Sequence, residues 1–296
     1  MTDPWAIDTA GLTKRYVEVT ALRGLDLQVP AGSICGLLGR NGAGKTTTLK
    51  ILLGLTHADG GRASVLGLDV AADGVAIRRR TAFVSEDKDL YDTMTVDEMV
   101  RFTARFYPRW SPDLEARYRR AFGLPGERPV KALSRGMRTK LALLLAFCRG
   151  AELLVLDEPT AGLDPAAAED VLQALVSHVA IGSGTVLLSS HQVAEIEQIA
   201  DRVAIVDRGR MVLQGALDDL RDSVRRLQLV FDGAAPEAMF RTPGVVRVRR
   251  EGRVLTVLAT ANADALLAEA HTLAPRSIDA TPVPLKDLFL DLVAEA

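Results

Sequence analysis

Short apolar runs and stretches of helical spacing alternate along the first 215 residues of the chain. The run ICGLL at 34–38 predicts a buried strand, and Leu49, Ile51, Leu52 and Leu55 then recur at the spacing of a helix. The runs TAFV, LLVL and TVLLSS predict three further strands, each of which leads into polar residues. Ligand sites of open α/β sheets lie at such strand ends, so the sequence places its candidate chemistry in these loops.

Helical spacing dominates the middle of the chain, with breaks at YPRWSPD and GLPGERP, where prolines interrupt the pattern. The segment RVAIVDRGRMVLQG then predicts a β-hairpin that turns at Arg208 and Gly209. After Gly215 the pattern becomes a strand (RRLQLVF), a short helix (PEAMF), a hairpin that turns at Glu251 and Gly252, and a helix (ADALLAEAHTL) before the final segment PLKDLFLDLVAEA. This order predicts a small α+β appendage.

The length of 296 residues exceeds one typical domain and indicates a large domain with an appendage. We expect a first domain over 1–215, with a helical part at about 89–150, and an accessory domain over 216–296. The appendage has an arginine-rich hairpin that could contact nucleic acid or lipid headgroups. Because these arginines alternate with valines, the simpler interpretation is that they form the solvent-exposed face of a sheet. These arginines are Arg247, Arg249, Arg250 and Arg253.

Composition narrows the classes of function. Lys plus Arg total 36 against 38 Asp plus Glu, so the chain as a whole is not an electrostatic binder of nucleic acid. Cys35 and Cys148 have no partner at a metal-ligand spacing and are expected to be core residues. The N-terminus has no apolar signal region, and the run LALLLAFC at 141–148 is too short to span a bilayer. Any membrane association is therefore expected to come through a partner.

The loop GRNGAGKTT at 39–47 fits the phosphate-binding pattern G-x-x-x-x-G-K-[ST]. Its three glycines allow a tight turn that points backbone N–H groups at phosphate oxygens. Lys45 supplies a cation for the β- and γ-phosphates at the positive end of a helix, and the Thr46 hydroxyl can ligate Mg²⁺. Because the loop follows an apolar strand and opens a helix, it predicts nucleotide binding.

Two acids follow the strand LLVL. Asp157 suits a residue that binds Mg²⁺ directly or through one of the metal's ligands, and Glu158 is placed to polarise an attacking water as general base or orienter. An Asp-Glu pair after a strand is common in loops, so this interpretation depends on the phosphate loop. His191 follows Ser189 and Ser190 at the end of TVLLSS, where a γ-phosphate contact is reasonable. The other histidines, His57, His178 and His271, lack such a context and are expected on the surface or on helices.

Together these segments resemble the ATP-binding cassette (ABC) family over about residues 5–215. GRNGAGKTT is similar to its Walker A motif, LSRGM to the signature, LLVLDEP to Walker B, AGLD to the D-loop and SSH to the switch histidine. The order and spacing of these motifs make the resemblance more specific than any one of them. It implies an α/β P-loop NTPase cassette with a mixed sheet core, an antiparallel β subdomain and a helical insert, plus a small C-terminal α+β domain.

The resemblance also implies a set of site residues. Tyr16 lies where the family places an aromatic that stacks on adenine, and its alternative is a half-buried strand residue. Glu158 and His191 would be catalytic, and Thr46, Glu86 and Asp157 would hold the metal. The nucleotide-binding residues would be Tyr16, Gly39, Arg40, Asn41, Gly42, Ala43, Gly44, Lys45, Thr46 and Thr47. The signature residues acting in trans would be Ser134, Arg135, Gly136 and Met137, and the D-loop residue would be Asp164.

Two positions depart from the family pattern. Glu86, in FVSED, stands where the family has a glutamine that touches Mg²⁺ and the partner; a carboxylate can still ligate the metal, but its charge responds differently. In the signature, Ser134 (expected near a helix N-cap) and Gly136 are retained, whereas Arg135 and Met137 replace Gly and Gln. Arg135 either reaches the partner's nucleotide or points to solvent. The remaining cations of this segment, Lys131, Arg138 and Lys140, are expected on a solvated face.

The resemblance implies an ATPase that uses ATP and Mg²⁺ and works as a dimer. Two identical or different cassettes would pack head to tail, with each ATP between one P-loop and the other signature, so that binding closes the dimer and hydrolysis reopens it. Residues 89–150 would carry this motion to an integral membrane permease, and the tail PLKDLFLDLV resembles that of bacterial ABC-2-type exporters. The expected location is cytoplasmic and peripheral, on the inner face of the cell membrane through the permease, with no nucleic-acid partner.

Two other functions compete with this one. A soluble ABC protein that acts on ribosomes usually carries two cassettes, and one that acts on DNA usually carries an inserted coiled coil or zinc module; this chain shows one P-loop and neither insertion. A P-loop kinase would leave LSRGM and AGLD unexplained.

Overall fold

The computed structural model of the chain describes residues 5–182, 184–237 and 239–293. The described chain divides into two compact units, Met1–Gln214 and Gly215–Ala296. Within the described residues, no helix combines the length and the apolar composition that a bilayer crossing requires.

The first unit begins with an antiparallel sheet whose long first strand pairs with three others. The strand order is β2-β1-β5-β6, and β3 also pairs with β1. One face of β1 is buried because Ile7, Thr9 and Leu12 point to the core. The strands of this sheet are β1 (Trp5–Arg15), β2 (Thr20–Leu25), β3 (Gln28–Pro30), β5 (Gly60–Val65) and β6 (Leu68–Asp69).

A second sheet of the first unit has the order β11-β10-β4-β9-β8-β7, and the pairs from β10 to β7 are parallel. Every residue of β4 and β8 is buried, as expected for strands that are covered on both faces. The predicted strands are confirmed, and so is the hairpin at Arg208 and Gly209, whose φ angles of 48° and 77° match a tight β-hairpin turn. The strands are β4 (Ile34–Leu38), β7 (Thr81–Val84), β8 (Leu153–Asp157), β9 (Thr185–Ser190), β10 (Arg202–Asp207) and β11 (Arg210–Ala216).

Several helices of the first unit begin at sequence signals for helix starts. A capping box of Thr95 and Glu98 opens α3, and Ser111 caps α4 ahead of a proline in its first turn. Helix α1 ends at Leu52, so the prediction that helical packing includes Leu55 is wrong: Gly54 takes a φ of 61° and Leu55 is exposed. The helices are α1 (Lys45–Leu52), α2 (Gly74–Arg80), α3 (Val96–Ala104), α4 (Pro112–Phe122), α5 (Arg135–Cys148), α6 (Pro165–Ala180) and α7 (Val193–Ile199), with a short 3₁₀ helix at Val130–Ala132.

One hydrophobic core joins both sheets of the first unit through α1. Leu25 of the antiparallel sheet, Leu37 and Val155 of the parallel sheet, and Leu49 and Leu52 of α1 belong to the same buried cluster. Burial of each such side chain stabilises the fold by about 1.5–3 kcal/mol. This packing holds the start of α1 against the ends of the parallel strands, where the candidate site residues lie.

The second unit is an antiparallel sheet of order β13-β14-β12-β15 with α9 contributing to its core. The ladder pairs Glu251 with Val254, so the predicted turn at Glu251 and Gly252 instead centres on Gly252 and Arg253. The described residues of PEAMF form no helix, and Ala238 lies outside the described residues. The elements are α8 (Leu217–Ser223), β12 (Arg225–Val230), β13 (Val245–Glu251), β14 (Val254–Ala259), α9 (Ala263–His271), β15 (Ser277–Pro282) and α10 (Leu285–Val293).

Candidate functional site

The phosphate-binding loop runs from the end of β4 to α1, which begins at Lys45 as predicted. Gly42 and Gly44 have φ angles of 82° and 107°, in the left-handed region that favours glycine. A Cβ on Gly44 would also lie 2.7 Å from the carbonyl oxygen of Ala21 and 2.8 Å from Leu22 Cδ2. Both the backbone angle and the close approach of β2 therefore require glycine at this position.

Lys45 places a buried positive charge at the centre of the loop. Its side chain lies at the start of α1, its Nζ donates to the carbonyl oxygen of Gly39 at 2.8 Å, and the same Nζ lies 3.1 Å from Glu158 Oε1. A buried ammonium requires such partners because its desolvation is costly. The positive end of α1 and Lys45 together favour anions here, so a phosphate would compete with Glu158 for this lysine.

The backbone of Glu158 is held in an uncommon conformation. Its φ angle is 46°, which costs a non-glycine residue about 1–3 kcal/mol unless the surroundings impose it. The N–H of Glu158 donates to Ser189 Oγ at 3.0 Å, and that hydroxyl donates to Asp157 Oδ1 at 2.6 Å. Because β9 runs beside β8 with Ser189 opposite Asp157, the pairing of these strands sets this geometry.

The carboxylate of Glu158 is buried between two groups from other loops. Its Oε2 lies 2.9 Å from His191 Nδ1, which makes that nitrogen the donor when Glu158 is ionised, while Oε1 faces Lys45. Oε1 is buried, and within the described residues its close polar partner is the ammonium of Lys45 at 3.1 Å. The site therefore presents an oriented carboxylate whose Oε1 becomes available to a hydroxyl or a water when Lys45 moves to another anion.

A buried glutamate that the sequence did not indicate links the loops after β8 and β9. Glu195 Oε2 accepts hydrogen bonds from Thr160 Oγ1 at 2.7 Å and from Ser190 Oγ at 2.9 Å. Ser190 Oγ in turn accepts from the N–H of Gln192 at 2.9 Å. Satisfied buried networks of this kind hold loops rigidly, so Glu195 fixes the chain on both sides of His191.

The phosphate loop, Glu158 and His191 line a cleft of about 460 Å³ in the first unit. Tyr16 lies at its rim, 44% exposed, with Lys14 Nζ 5.5 Å from the ring centroid, so its ring has an open face. Gly39 and Asp157 are predicted site residues that lie behind the wall and act through Lys45 and Ser189. The predicted residues that the structure brings together in the wall are Tyr16, Arg40, Asn41, Gly42, Ala43, Gly44, Lys45, Thr46, Thr47, Glu86, Glu158 and His191.

The donor set for a metal is distributed around the cleft. Thr46 and Glu86 line it, whereas Asp157 is buried and accepts from Ser189. No group of three or more His, Cys, Asp or Glu side chains could hold a metal ion by itself within the described part of the chain. Mg²⁺ is usually held by one or two carboxylates together with substrate phosphates, and these hydroxyl and carboxylate oxygens beside a phosphate loop fit such a site.

The signature residues lie elsewhere, at the start of α5. Ser134 is the N-cap, as predicted, and its Oγ accepts from the N–H of Met137 at 3.2 Å. Within the described residues, Ser134, Arg135, Gly136 and Met137 are all absent from the wall of the cleft. One chain therefore brings the phosphate loop and the acids together, but it leaves the signature apart from them.

Arg135 is exposed to solvent, which is one of the two directions that the sequence left open, and its contact with the partner's nucleotide stays a prediction. Its guanidinium packs on Gly162, leaving no room there for a Cβ, and forms no hydrogen bond or ion pair with residues the structure describes. The neighbouring Asp164 is the N-cap of α6, and its Oδ1 accepts from the N–H of Ala167 at 3.0 Å. The signature and the D-loop of the same chain are thus in contact through Arg135.

The other cations of the signature segment differ in their surroundings. Arg138 pairs with Asp92 and Lys140 with Asp170, each at 2.6 Å, while Lys131 is exposed. The carboxylate partners are exposed, and ion pairs of this kind contribute at most about 1 kcal/mol. The expected solvated face is therefore a surface with two ion pairs.

Lys88 is a further residue of the site that the sequence did not single out. It is buried at 5% exposure, and its Nζ donates to the carbonyl oxygen of Glu158 at 3.2 Å. Burial, and after it the charge of Arg135, hold the pKa of Lys88 below its ordinary value of 10.5. The negative charges of Glu86, Asp157 and Asp87 act in the opposite direction and raise this pKa. In the sequence, its only signal is a single cation inside the acidic run SEDKD.

Comparison with known proteins agrees with this geometry. The family model described as "ABC transporter" matches residues 22–161. The daunorubicin/doxorubicin resistance ATP-binding protein DrrA of Streptomyces peucetius is 39% identical over 225 residues, which covers 74% of this chain and 68% of that protein. The daunorubicin resistance ATP-binding protein DrrA3 of Streptomyces coeruleorubidus is 34% identical over 304 residues, covering 97% of this chain and 94% of that protein.

A solved structure of the ATP binding subunit of an ABC transporter has the same fold, with a TM-score of 0.66 and 31% identity. The match covers 73% of this chain and 92% of the solved chain. The phosphate loop, Glu158 after β8 and His191 after β9 line one cleft, with Asp157 behind its wall, which suits an ATP-hydrolysing cassette. The chain belongs to the ABC transporter family, as an ATP-binding and ATP-hydrolysing subunit.

Proposed function

We propose that the chain drives an exporter by hydrolysing ATP at the cleft of the first unit, together with a second cassette and a separate membrane permease. The observation that carries this proposal is the Glu158 carboxylate, buried beside the phosphate loop and held between Lys45 and His191. An oriented carboxylate at this place is positioned to act on a water that attacks the γ-phosphate.

In the proposed mechanism the N–H groups of the phosphate loop and of the first turn of α1 bind the β- and γ-phosphates of ATP. Lys45 exchanges its ion pair with Glu158 for the phosphate oxygens, which frees Glu158 Oε1 to accept a proton from the attacking water. His191 keeps Oε2 oriented and lies within the same wall. Thr46, Glu86 and Asp157 would hold Mg²⁺, which when bound neutralises charge on the phosphates.

The position of the signature supports a second cassette. Ser134 and Gly136 lie at the positive end of α5, away from the cleft of their own chain. Their proposed partner is the γ-phosphate held by another copy or by a related chain, with Asp164 nearby in the D-loop. The cleft of one chain would then be completed by the signature of the other.

An exposed aromatic row on the first unit supports contact with the permease. Tyr91 and Phe106 are 56% and 64% exposed, and each packs edge to face on Phe102, with ring centroids 5.5 Å and 5.0 Å apart. Contiguous exposed apolar side chains mark protein contact surfaces. We propose that the permease binds here and holds the chain at the inner face of the cell membrane; the drug-resistance names of two relatives favour export.

The test of this function is Glu158→Gln in the full chain. The amide keeps the shape of the side chain but cannot take a proton, so we expect ATP turnover to fall at least about 100-fold while ATP still binds. With ATP and Mg²⁺, the variant should accumulate as a dimer in size-exclusion chromatography. The matched control is Glu127→Gln, an exposed carboxylate outside the cleft, which should keep wild-type turnover. Turnover in Glu158→Gln within a few-fold of wild type would disprove the assignment.

A further inference from the structure

The burial of the Lys88 side chain and its backbone conformation are each unfavourable for the stability of the fold. Lys88 follows β7 in a loop, and its side chain is 5% exposed although it ends in an ammonium group, a group that is rarely buried without a partner. Its φ angle is 50°, in a region that non-glycine residues seldom occupy. The surroundings of the residue must offset both.

The partner of the ammonium is the main chain of Glu158. Lys88 Nζ donates to the carbonyl oxygen of Glu158, which also accepts from the N–H of Ala161 at 3.2 Å. On its other side, the N–H of Glu158 is bound to Ser189 Oγ. Glu158 itself has a φ of 46°, and its backbone angles aim its carboxylate, so these contacts hold the carboxylate in place.

Lys88 does not line the cleft in the part of the chain that the structure describes. It therefore reaches the nucleotide only through Glu158, unlike Lys45, which lines the cleft and has an ion pair that phosphate can replace. When Lys45 turns to phosphate, Lys88 remains a buried cation bound to the main chain of Glu158.

The charge at position 86 gives this cation a second role. Glu86 places a carboxylate in the wall of the cleft that already contains Glu158, and Asp157 lies directly behind it. Like charges repel one another, most strongly for the buried Asp157 and Glu158, whereas Glu86 is exposed and adds a negative charge that solvent partly screens. Lys88, two residues after Glu86, is near enough to Glu86 and Asp157 to feel both charges.

We propose that Lys88 is a positioning residue for ATP hydrolysis: its ammonium holds the main chain of Glu158 and offsets the charge that Glu86 adds to the cleft. This inference rests on the proposed role of Glu158. It predicts that Lys88 affects the rate of turnover and leaves the affinity for ATP unchanged.

The experiment compares the full-length wild type with Lys88→Met and Lys88→Arg, using steady-state ATPase kinetics and calorimetric titration with ATP. We expect Lys88→Met to lower kcat about 10–30-fold while KM and ATP affinity stay within about twofold, because a slightly misplaced catalytic group reacts far more slowly. Lys88→Arg, which keeps the charge, should recover kcat to within about threefold of wild type. Lys286→Met, the same change at an exposed lysine of the second unit, should have no effect.

A second pair of variants tests the link to Glu86. In a Glu86→Gln background the added negative charge is absent, so Lys88→Met should lower kcat only about threefold relative to Glu86→Gln alone. An equal loss of kcat in the wild-type and Glu86→Gln backgrounds would show that Lys88 does not offset the charge of Glu86. If Lys88→Met does not fold, Lys88→Gln replaces it, since an amide keeps a donor but removes the charge.

Two further results would overturn the inference. One is a kcat for Lys88→Met within twofold of wild type, and the other is a parallel loss of ATP affinity and turnover, which would place Lys88 in support of the nucleotide pocket. Glu158→Gln separates this inference from the proposed function. If Glu158→Gln is inactive and Lys88→Met is fully active, only the inference about Lys88 fails; if Glu158→Gln is active, the proposed function fails.

Discussion

The cleft of the first unit and the polar sheet face of the second unit both gather charged side chains, but they differ in burial. At the cleft and directly behind its wall, Lys45, Lys88, Asp157 and Glu158 are all buried, and each has a partner in another segment of the chain. On the second unit, β13 carries exposed arginines, among them Arg249. Charges of the first kind are costly to bury and need precise partners, whereas those of the second kind are solvated.

The difference follows from the geometry of the two sheets. Parallel strands β8 and β9 end side by side, so the polar residues after them converge at one edge. In the antiparallel sheet of the second unit, residues alternate between faces, so Gln228, Thr256 and Arg249 form one polar row while Leu227 and Leu229 face the core. Polar residues that converge at the ends of parallel strands can form a reactive cleft. Polar residues that alternate with apolar ones along antiparallel strands form a solvated sheet face.

The largest effect is expected from a methyl group at Gly44. Gly44→Ala forces a side chain into a left-handed backbone and against the carbonyl of Ala21, so we expect ATP affinity to fall at least about 100-fold. The matched change is Gly252→Ala in the hairpin of the second unit, where φ is 59° but a Cβ meets nothing within 4 Å. It should leave ATP binding unchanged. Equal losses in calorimetric titrations would remove the distinction between the two regions.

A smaller effect is expected on the stability of the fold, which should depend on pH through His178 in the first unit. Its ring is buried, stacks on Phe147 at 4.2 Å and meets Tyr118 Oη, and this burial lowers its pKa from 6.5 to about 4. The unfolded chain takes up this proton at higher pH, so stability from this group is complete above about pH 6.5 and is lost as pH falls towards 4. In His178→Phe the decrease in the free energy of unfolding from pH 7 to pH 5 should be about 2 kcal/mol smaller than in wild type.

Urea unfolding at both pH values measures this difference. His271, exposed at the end of α9 in the second unit, provides the control, and His271→Gln should retain the wild-type dependence on pH. The same pH dependence in His178→Phe as in wild type would show that other groups control it.

The smallest effect is expected at the rim of the cleft. Tyr16→Ala removes the open ring face beside the phosphate loop, so we expect KM for ATP to rise about 5–10-fold, while kcat at saturating ATP stays within about twofold. Val246, which has the same 44% exposure on the second unit, is the matched position for truncation to alanine. A large loss of kcat in Tyr16→Ala would contradict a role confined to binding.

Much of the first unit was predictable because its signals are local. The strands β4, β8 and β9 are continuous apolar runs, and the phosphate loop has glycines whose backbone angles few other residues tolerate. The second unit was less predictable: the end of its hairpin turn was misplaced by one residue, and PEAMF was expected to be helical. Turns and short segments depend on the register of strands far apart in sequence.

The contacts around Glu158 were not predictable in the same way. Glu195, Thr160 and Ser190 come from different loops, and nothing in their spacing indicates that one buried carboxylate accepts from both hydroxyls. The burial of His178 and the packing of Arg135 on Gly162 also depend on how distant segments fold together.

The sequence by itself determined the order of the elements, the phosphate loop, the two acids after β8 and the family resemblance, because each of these resides in a short contiguous pattern. Only the tertiary structure decided that Lys45 pairs with the carboxylate of Glu158 while Lys88 donates to its carbonyl oxygen. It also decided that the signature lies outside the cleft of its own chain. Those contacts join loops that meet because parallel strands end at one edge of a sheet. The partners of a buried charge are therefore set by strand pairing and packing rather than by local sequence.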